Sequence, residues 1–478
     1  MVASPKIVSA HHMVGNTYPY SRADWAEDIR LAKDAGIDAF ALNVGAEDWQ
    51  RDRVADAYAA AEAANFKLFL SLDVAVQPCS TGAHGWNLRA LVVRHVASSA
   101  QLLYAPPGST EAPKALLSTF AGSDCTFGAV DSPSGWYNEF TNHPELRGRI
   151  HFVPSFFVDP RELSGSGRFG RSVHGSFNWN SGWANELTVA SAENIMRQAG
   201  TLSGSLDGFL GSTNDLAAIS RTLAPLAASA GSTKTDIDHV NAIGDSRTYM
   251  AAVSPWFFTH YGVDTYNKNW MYLSDFHLYA TKWENLLKSD VYPKIDLIEI
   301  TTWNDFGESS YISPIKGDMP PTTRNWVDGM DHTGWLKLTK YYAQWFKTGS
   351  APALTQDSIV MWARPQSVKA TVGDPVGRPR DYQLHQDVLW VVVLAKSAGR
   401  VTLSTSATGT GGDTRSFDVK PGSNKLSLPL TTGSRMYARL ERNGARVLEV
   451  NPAQFVFGSG VGAGRIYNFN AFVASGTA

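Results

Sequence analysis

Cysteine is scarce in this chain. Cys79 and Cys125 are the two cysteines among 478 residues, which is too few to define a disulfide framework. No apolar run approaches the roughly 18 residues that a membrane-spanning helix needs. The net charge of -2 gives no electrostatic reason to expect a nucleic acid or an anionic membrane as a partner. These absences favour an ordinary folded protein that binds neither nucleic acid nor membrane.

Sequence motifs for metal and nucleotide binding are also missing. The chain contains no HExxH, CxxC or G-x-S-x-G pattern, and no GxGxxG or P-loop pattern directly follows a predicted strand. His11 and His12 are adjacent on a predicted strand, so their side chains point to opposite faces and cannot both bind one metal. A mononuclear site assembled from scattered His, Asp and Glu stays open. We expect no cofactor and no metal.

Aromatic residues are abundant, with 15 Trp, 17 Tyr and 22 Phe. A large core that contains many rings would explain this number. A carbohydrate cleft lined with stacking rings would explain it as well. Composition alone does not separate the two interpretations.

Strand-like apolar runs alternate with helix-like segments over the first two thirds of the chain. Ser21 and Asp24 resemble a capping box at the start of the first helix, which Gly36 would end. Residues 332–349 are predicted to form the closing helix of this part. The strand candidates are KIVSAHH (6–12), IDAFALNV (37–44), KLFLSLDVAV (67–76), KALLSTFAG (114–122), RIHFVPSFF (149–157), GSLDGFLGS (204–212), SRTYMAAVSPWF (246–257) and KIDLIEITTW (294–303).

Eight apolar strands, each followed by a connection long enough for a helix, indicate a parallel sheet that is buried on both faces. This number of units fits an α/β fold, a (β/α)8 TIM barrel, better than an open doubly wound sheet. We place this catalytic barrel at residues 1–352, with residues 158–203 as a long loop insertion. Cys79 and Cys125 follow the third and fourth strands in neighbouring loops, where a disulfide and two free thiols both stay open.

Short alternating segments replace this pattern in residues 353–478. They predict an appended C-terminal antiparallel β-sandwich domain, with Asn443-Gly444 as a hairpin turn. No separate aromatic cluster stands out there. We therefore predict that this domain packs against the barrel and has no binding role. A role in binding is the alternative.

Reactive groups of such a barrel sit at the carboxyl ends of the strands and in the loops that follow. Carboxylates, amides and aromatic rings dominate these positions, as in sites that bind hydroxyl-rich ligands and protonate glycosidic oxygens. The positions are His11, His12, Asn43, Asp73, Asp124, Asp159, Asp245, Trp256, His260, Asn304, Asp305 and Glu308.

Two carboxylates stand three residues apart in the stretch ITTWNDFGESSYI, residues 300–312, which has no Lys, Arg or other acid. Asp305 and Glu308 would repel each other and be partly desolvated, which raises one pKa and leaves an acid and a base near neutral pH. Hydrolysis of a glycoside needs such a pair. A structural turn in which the acids accept backbone N–H bonds is the alternative. Glu299, inside an apolar strand, is the nearest competitor, although a buried ion pair would also explain it.

Several motifs resemble glycoside hydrolase family 71, the fungal α-1,3-glucanases or mutanases. In order along residues 6–349 they are AHHMVGNTYPY, DWAEDIRLAKDAGIDAFALNVG, KLFLSLDVA, LLSTFAG, EITTWNDFGESSYI and HTGWL. The resemblance implies a barrel that cleaves α-1,3-glucosidic bonds of fungal cell-wall glucan or mutan, with inversion and without a cofactor. It also implies a C-terminal β-sandwich and secretion. Residues 1–13 lack the features of a signal peptide, so we expect the signal to be trimmed from this chain.

The resemblance also implies roles for individual residues. It makes Asp305 and Glu308 the catalytic pair and Asp73 a further acid that binds substrate. The family reads His-Phe-Met-Val-Gly-Asn where this chain has His11-His12-Met13-Val14-Gly15-Asn16, so His11 matches and His12 departs. We assign Glu308 as the general acid and Asp305 as the base, with the reverse left open. The further candidates for binding sugar are His11, Asn43, Asp245, Trp256, His260, Glu299, Trp303, Asn304 and His332.

Two other functions stay open at this stage. One is a glucan-binding protein without turnover, because barrels can lose activity and keep their cleft. The other is a hydrolase or lyase that acts on a different polysaccharide. We expect a monomeric, secreted enzyme that acts inside the polymer, although the sequence does not separate endo from exo action.

Overall fold

A curled parallel sheet occupies the first two thirds of the protein. The computed structural model describes residues 6–478; residues 1–5, the start of the segment searched for a signal peptide, lie outside the described residues. The parallel strands are β1 (Ile7–Met13), β2 (Ala39–Val44), β3 (Lys67–Asp73), β4 (Lys114–Phe120), β5 (Ile150–Phe152), β6 (Gly175–Asn178), β7 (Thr248–Val253) and β8 (Leu297–Ile300).

The strands pair in the order in which they occur along the chain. β1 lies between β2 and β8, the run β2–β3–β4–β5 continues on one side, and β7 and β6 continue on the other. The edges at β5 and β6 are linked by backbone hydrogen bonds from His174 N to Phe152 O (2.7 Å) and from Phe177 N to Pro154 O (2.9 Å). A two-residue strand, Leu103–Tyr104, pairs antiparallel with β4.

Helices follow most of these strands and cover the outer face of the sheet. Alternate residues of one strand therefore enter different cores: Val8 and Ala10 of β1 pack with the helices, whereas Ile7 lies among side chains inside the curl. The helices are Arg22–Asp34, Gln50–Ala64, Gly82–His95, Ser132–Trp136, Val189–Gln198, Leu206–Ser212, Leu216–Leu223, Lys234–Ile243, Leu278–Lys288, Arg324–Val327 and Trp335–Thr348. This arrangement is a mixed α/β fold with a curled parallel sheet.

The predicted helix ends are present. Ser21 and Asp24 form the capping box at the first helix, and Gly36, just beyond its end, has a φ of 77°. Gly349 ends the helix Trp335–Thr348 in the left-handed conformation. No helix within residues 6–478 is long and apolar enough to cross a membrane.

The sixth predicted strand is wrong. GSLDGFLGS forms the helix Leu206–Ser212, because the side chain of Ser205 caps it by accepting a hydrogen bond from Gly208 N. The sixth parallel strand is β6, inside the segment 158–203 that we predicted to be a loop insertion. This short strand, GSFN, contains one large apolar side chain, Phe177, so it has too little periodicity to be detected.

Two antiparallel sheets form the C-terminal part, as predicted. Asn443 (φ 52°) and Gly444 (φ 77°) make the turn between two adjacent strands. The sheets share one apolar core, in which Met361 and Val391 of one sheet meet Leu403 and Leu440 of the other. In pairing order, the strands are Gly422–Pro429, Val388–Ala395, Ser358–Ala363 and Phe472–Thr477 in the first sheet, and Thr414–Val419, Gly399–Ser404, Tyr437–Arg442 and Ala445–Val450 in the second.

A disulfide joins Cys79 and Cys125, with an Sγ–Sγ distance of 2.08 Å. It connects the loops that follow β3 and β4 and closes a segment with a sequence separation of 46. A covalent link of this kind stabilises mainly by restricting the unfolded chain.

We expect reduction of this disulfide to lower the free energy of unfolding by about 3–4 kcal/mol, the loop-closure value for a segment of this length. Thermal unfolding with and without reductant measures the change. The double variant Cys79→Ala/Cys125→Ala is the matched control and should unfold at the same temperature in both conditions. If both cysteines of the wild-type protein react with an alkylating agent without reductant, the disulfide is absent in solution.

Candidate active site

The loop after β8 places Asp305 and Glu308 at the carboxyl end of the sheet. Asp305 N donates to Thr302 Oγ1 (2.8 Å), and Asp305 Oδ1 accepts a hydrogen bond from Glu308 N (3.0 Å). One carboxylate oxygen of Asp305 therefore holds the turn. Asp305 therefore has part of the structural role that the alternative interpretation gives it. The second carboxylate oxygen of Asp305 is not used by this turn.

Lys268 provides the positive charge of the site. Its Nζ lies 3.4 Å from Glu308 Oε1, and the Glu308 side chain is about four-fifths buried, with 20% exposed. The nearby Glu308 carboxylate is the main cause that raises the pKa of Lys268. The Lys268 ammonium therefore lies directly beside the Glu308 carboxylate.

Asp305 has the opposite environment. Burial raises the pKa of its carboxyl group to about 7, and the negative charges of Glu308 and Asp73 act in the same direction. Lys268 and the hydrogen bond from Glu308 N lower this pKa but do not cancel the effect of burial. Asp305 is therefore protonated in a large fraction of molecules near neutral pH, as a general acid must be.

Asp73, the last residue of β3, is the third carboxyl group of the cluster. Its Oδ1 accepts a hydrogen bond from Ala75 N (3.2 Å), and the Asn43 side chain is also hydrogen bonded to it. Burial raises the pKa of Asp73, whereas His11 and Lys268 lower it. Asp73, Asn43 and His11 therefore belong to the same cluster as Asp305 and Glu308.

Glu299 lies beneath His11 in the sheet and is fully buried. Its Oε1 is 2.8 Å from His11 Nδ1, and its Oε2 accepts a hydrogen bond from Ser9 Oγ at 3.3 Å. The prediction that Glu299 contacts sugar is corrected, because its two carboxylate oxygens are paired with His11 and Ser9 and orient the His11 ring. The His11 ring packs edge-to-face on Trp179, with 4.7 Å between ring centroids.

Asn304 and Trp303 do not face a cleft, contrary to prediction, because both are buried. The Asn304 side chain accepts from Met13 N (2.7 Å) and donates to Met13 O (3.1 Å), so it ties the acid-bearing loop to β1. The Trp303 ring packs on Phe40, with centroids 4.9 Å apart.

Trp256, His332 and His260 are likewise buried against residues of the C-terminal region. Trp256 Nε1 donates to Phe469 O at 2.9 Å, and the two ring nitrogens of His332 face Tyr311 O and Ala471 O at 2.8 Å. His260 lies between Asn269 and Asp374. The prediction that these rings bind sugar is corrected, because the C-terminal region covers them.

Asp245 is at the opposite end of the sheet. It precedes β7, its side chain is 81% exposed, and it pairs with Lys294 at 2.8 Å. We predicted it at a carboxyl end, but its position is the amino end of β7. It is therefore not part of the acid cluster.

Sequence reasoning missed Lys268 and Trp179. Lys268 lies just before a short hairpin strand, four residues after Asp264, and nothing in the sequence links it to Glu308. Trp179 follows β6, the strand that was not detected. Exposed rings in loops at this end of the sheet were also missed, among them Tyr18, Phe157 and Tyr266. The signal that could have identified these rings is their position in aromatic-rich loops that follow predicted strands.

Within residues 6–478, no group of three or more His, Cys, Asp and Glu side chains is arranged to hold a metal ion. The site thus consists of an acid with a raised pKa, a carboxylate beside an ammonium, and neighbouring amide and aromatic side chains. Acid–base pairs of this kind are what glycoside hydrolases use.

Comparison with known proteins gives the family. Residues 4–478 match glycosyl hydrolase family 71. The chain is 32% identical to glucan endo-1,3-alpha-glucosidase agn1 of Schizosaccharomyces pombe, over 98% of this chain and 94% of that protein. It is 29% identical to mutanase Pc12g07500 of Penicillium rubens, over 98% and 88% of the two chains. The ascus wall endo-1,3-alpha-glucanase of S. pombe is 27% identical, over 85% and 82%.

The chain therefore belongs to glycosyl hydrolase family 71 and is a glycoside hydrolase. The resemblance recognised from the sequence motifs is confirmed.

The raised pKa of Asp305 predicts a pH-dependent stability. Its folded-state pKa of about 7 lies above the usual aspartate value of 3.8, so the folded protein binds more protons than the unfolded chain between these values. Stability contributed by this group is lost as pH rises through that range. Asp305→Asn avoids the loss, and we expect it to raise the unfolding temperature relative to wild type more at pH 7.5 than at pH 4.5.

Thermal unfolding of both proteins at the two pH values measures this difference. Asp290→Asn, at an exposed position, is the control and should give the same small change at both. An equal effect of Asp305→Asn at pH 4.5 and pH 7.5 would show that its pKa is not raised.

Proposed function

We propose that this protein hydrolyses α-1,3-glucosidic bonds within α-1,3-glucan, the polymer of mutan and fungal cell-wall glucan. The observation that carries the proposal is the cluster of Asp305, Glu308 and Lys268 at the carboxyl end of the sheet in a family 71 chain. The substrate is suggested by the names of the relatives, two of which are called endo-1,3-alpha-glucosidase or endo-1,3-alpha-glucanase.

In this proposal Asp305 is the general acid and Glu308 is the general base, which reverses our assignment from the sequence. Burial keeps a proton on Asp305 near neutral pH, and Glu308 lies beside the Lys268 ammonium. An acid needs its proton before the reaction, and a base must be without one. The two environments therefore suit opposite roles.

The reaction then proceeds by a single displacement. Asp305 gives its proton to the glucosidic oxygen, and the bond between that oxygen and the anomeric carbon breaks. Glu308 takes a proton from a water molecule, whose oxygen forms the new bond to the anomeric carbon from the opposite face, so the configuration inverts. Solvent water exchanges protons to restore both groups. Asp73 binds sugar hydroxyls around the reacting ring, and the buried Asn43 and His11 support it from the side of the sheet.

The proposal includes an architecture. Residues 1–352 act as a catalytic (β/α)8 barrel and residues 353–478 as a β-sandwich domain. The order of β1 to β8 and the two hydrogen bonds between the β5 and β6 edges support a barrel. We also propose a secreted, monomeric enzyme; the Cys79–Cys125 disulfide and the word "wall" in a relative's name support an extracellular setting.

Reducing-sugar release from insoluble α-1,3-glucan tests the substrate, with β-1,3-glucan and starch assayed in parallel. We expect release from the α-1,3 polymer alone, and early products longer than one sugar if the enzyme acts within the chain. NMR of the first products should show the β-anomer. No release from any polymer by the folded protein would favour a glucan-binding protein without turnover, and release from another polymer would reassign the substrate.

Asp305→Asn and Glu308→Gln test the catalytic pair. Each should lower kcat by about 10²–10⁴-fold, the range for loss of a general acid or base. Asp245→Asn removes a carboxylate at the other end of the sheet and should keep wild-type kcat. Near-normal turnover by either site variant would contradict the pair. A loss confined to Asp73→Asn would move the catalytic role to Asp73.

A further inference from the structure

Lys268 is carried by a short hairpin between β7 and β8. The hairpin strands are Phe258–His260 and Asn269–Met271. Tyr261 N donates to Lys268 O at 2.6 Å, so the residue lies where the hairpin begins to pair. Phe258 N donates to Glu308 O at 3.0 Å, which joins the hairpin to the acid-bearing loop. The Lys268 side chain is nevertheless 46% exposed, so little packing fixes its position beyond the hairpin itself.

The other edge of this hairpin is held by the C-terminal region. Met271 N donates to Arg380 O and Arg380 N donates to Asn269 O, both at 3.1 Å. The Asn269 side chain also donates to Val376 O (3.3 Å) and Gly377 O (3.1 Å). Residues 374–380 thus add a third backbone segment to the two-stranded hairpin.

Asp374 also links the C-terminal region to the hairpin. Its buried side chain accepts hydrogen bonds from Tyr467 N at 2.7 Å and Val376 N at 2.9 Å. Its Oδ2 lies 2.7 Å from His260 Nε2, and His260 Nδ1 lies 2.9 Å from Asn269 Oδ1. His260 therefore connects both hairpin strands to Asp374. A buried carboxylate with this many partners fixes its neighbours, because each broken contact would leave a buried polar group unpaired.

We propose that residues 374–380 are a functional part of the active site and that Asp374 is a positioning residue, which holds the Lys268 ammonium beside Glu308. This inference rests on the roles that we propose for Glu308 and Asp305. It also replaces the expectation that the C-terminal region only packs against the rest of the protein. Asp374 does not touch substrate; it acts through His260, Asn269 and the hairpin.

Removing the ammonium should move the pH profile of kcat/KM upward. Lys268 lowers the pKa of Asp305, so without the ammonium Asp305 keeps its proton to a higher pH. The limb of the profile that reports loss of the Asp305 proton should shift upward by about 0.5–1 pH unit, the usual size of a single charge effect at a partly exposed site. The other charged or titratable groups facing these residues are Asp73, His11, Tyr261, Tyr272 and Arg380.

A double-mutant cycle on α-1,3-glucan tests the link. Lys268→Met should shift the profile, and Lys268→Arg should restore most of the wild-type behaviour. Asp374→Asn should shift the profile in the same direction as Lys268→Met. If Asp374 acts through Lys268, the double variant should shift no further than Lys268→Met alone. Additive shifts, or no shift in Asp374→Asn, would overturn the proposal.

Asp357→Asn is the matched control for loss of a buried carboxylate. Asp357 lies in the same region, is fully buried and accepts two hydrogen bonds from Arg442 at 2.7 and 2.6 Å. It should lower the unfolding temperature without moving the pH profile. If Asp374→Asn does not fold, His260→Gln breaks the same link from the hairpin side and must give the same shift for the proposal to stand.

Hydrogen exchange followed by mass spectrometry separates this proposal from the proposed function. Asp374→Asn should increase exchange in residues 258–271 and 301–312, and Asp357→Asn should leave these segments unchanged. If wild-type protein releases no sugar from α-1,3-glucan, the proposed function fails, and the exchange result still shows whether Asp374 holds the hairpin. If wild-type protein is active and these segments exchange equally in both variants, only the inference about Asp374 fails.

Discussion

The pairing of β1 with β8 is the contact on which the site depends. It joins residues nearly three hundred positions apart, with Ser9 opposite Glu299 and Ala10 opposite Ile300. This register brings the Glu299 carboxylate to His11, and the Asn304 side chain then fastens the following loop to Met13. The register between β1 and β8 therefore sets the direction of the acid-bearing loop. This register is rigid, because a slip of one residue would turn every side chain of the strand to the other face of the sheet.

Charge balance is the second constraint. Three carboxyl groups, Asp73, Asp305 and Glu308, share one end of the sheet with the ammonium of Lys268. Lys268 lowers the pKa of Asp305 but does not cancel the effect of burial, so Asp305 keeps its proton near neutral pH. The two groups differ in their surroundings: Glu308 lies 3.4 Å from the Lys268 ammonium, whereas burial has the largest effect on Asp305. A protein can thus obtain an acid and a base from two similar carboxyl groups in one turn.

The sequence predicts the parallel strands well where apolar runs are long, as in Lys67–Asp73 and Thr248–Val253, since local periodicity reports burial on both faces. It fails at β6, where four residues carry one large apolar side chain. The acids of the 300–312 stretch are predictable because an acidic pair without cations is unusual. The covered rings of Trp256 and His332 are not predictable, because their partners at 469–471 lie more than a hundred residues away. Lys268 is not predictable for the same reason, because the carboxylate that it contacts belongs to Glu308, forty positions away in the sequence.

The backbone contacts of residues 469–471 also have a consequence for biosynthesis. Trp256 and His332 obtain their hydrogen-bond partners from Phe469 and Ala471. During translation, the loops of the catalytic end leave the ribosome long before these partners do. The nascent chain therefore passes through a stage in which large rings and polar groups that are buried in the finished protein remain in water. Folding of this end is completed late, however early the parallel strands have paired.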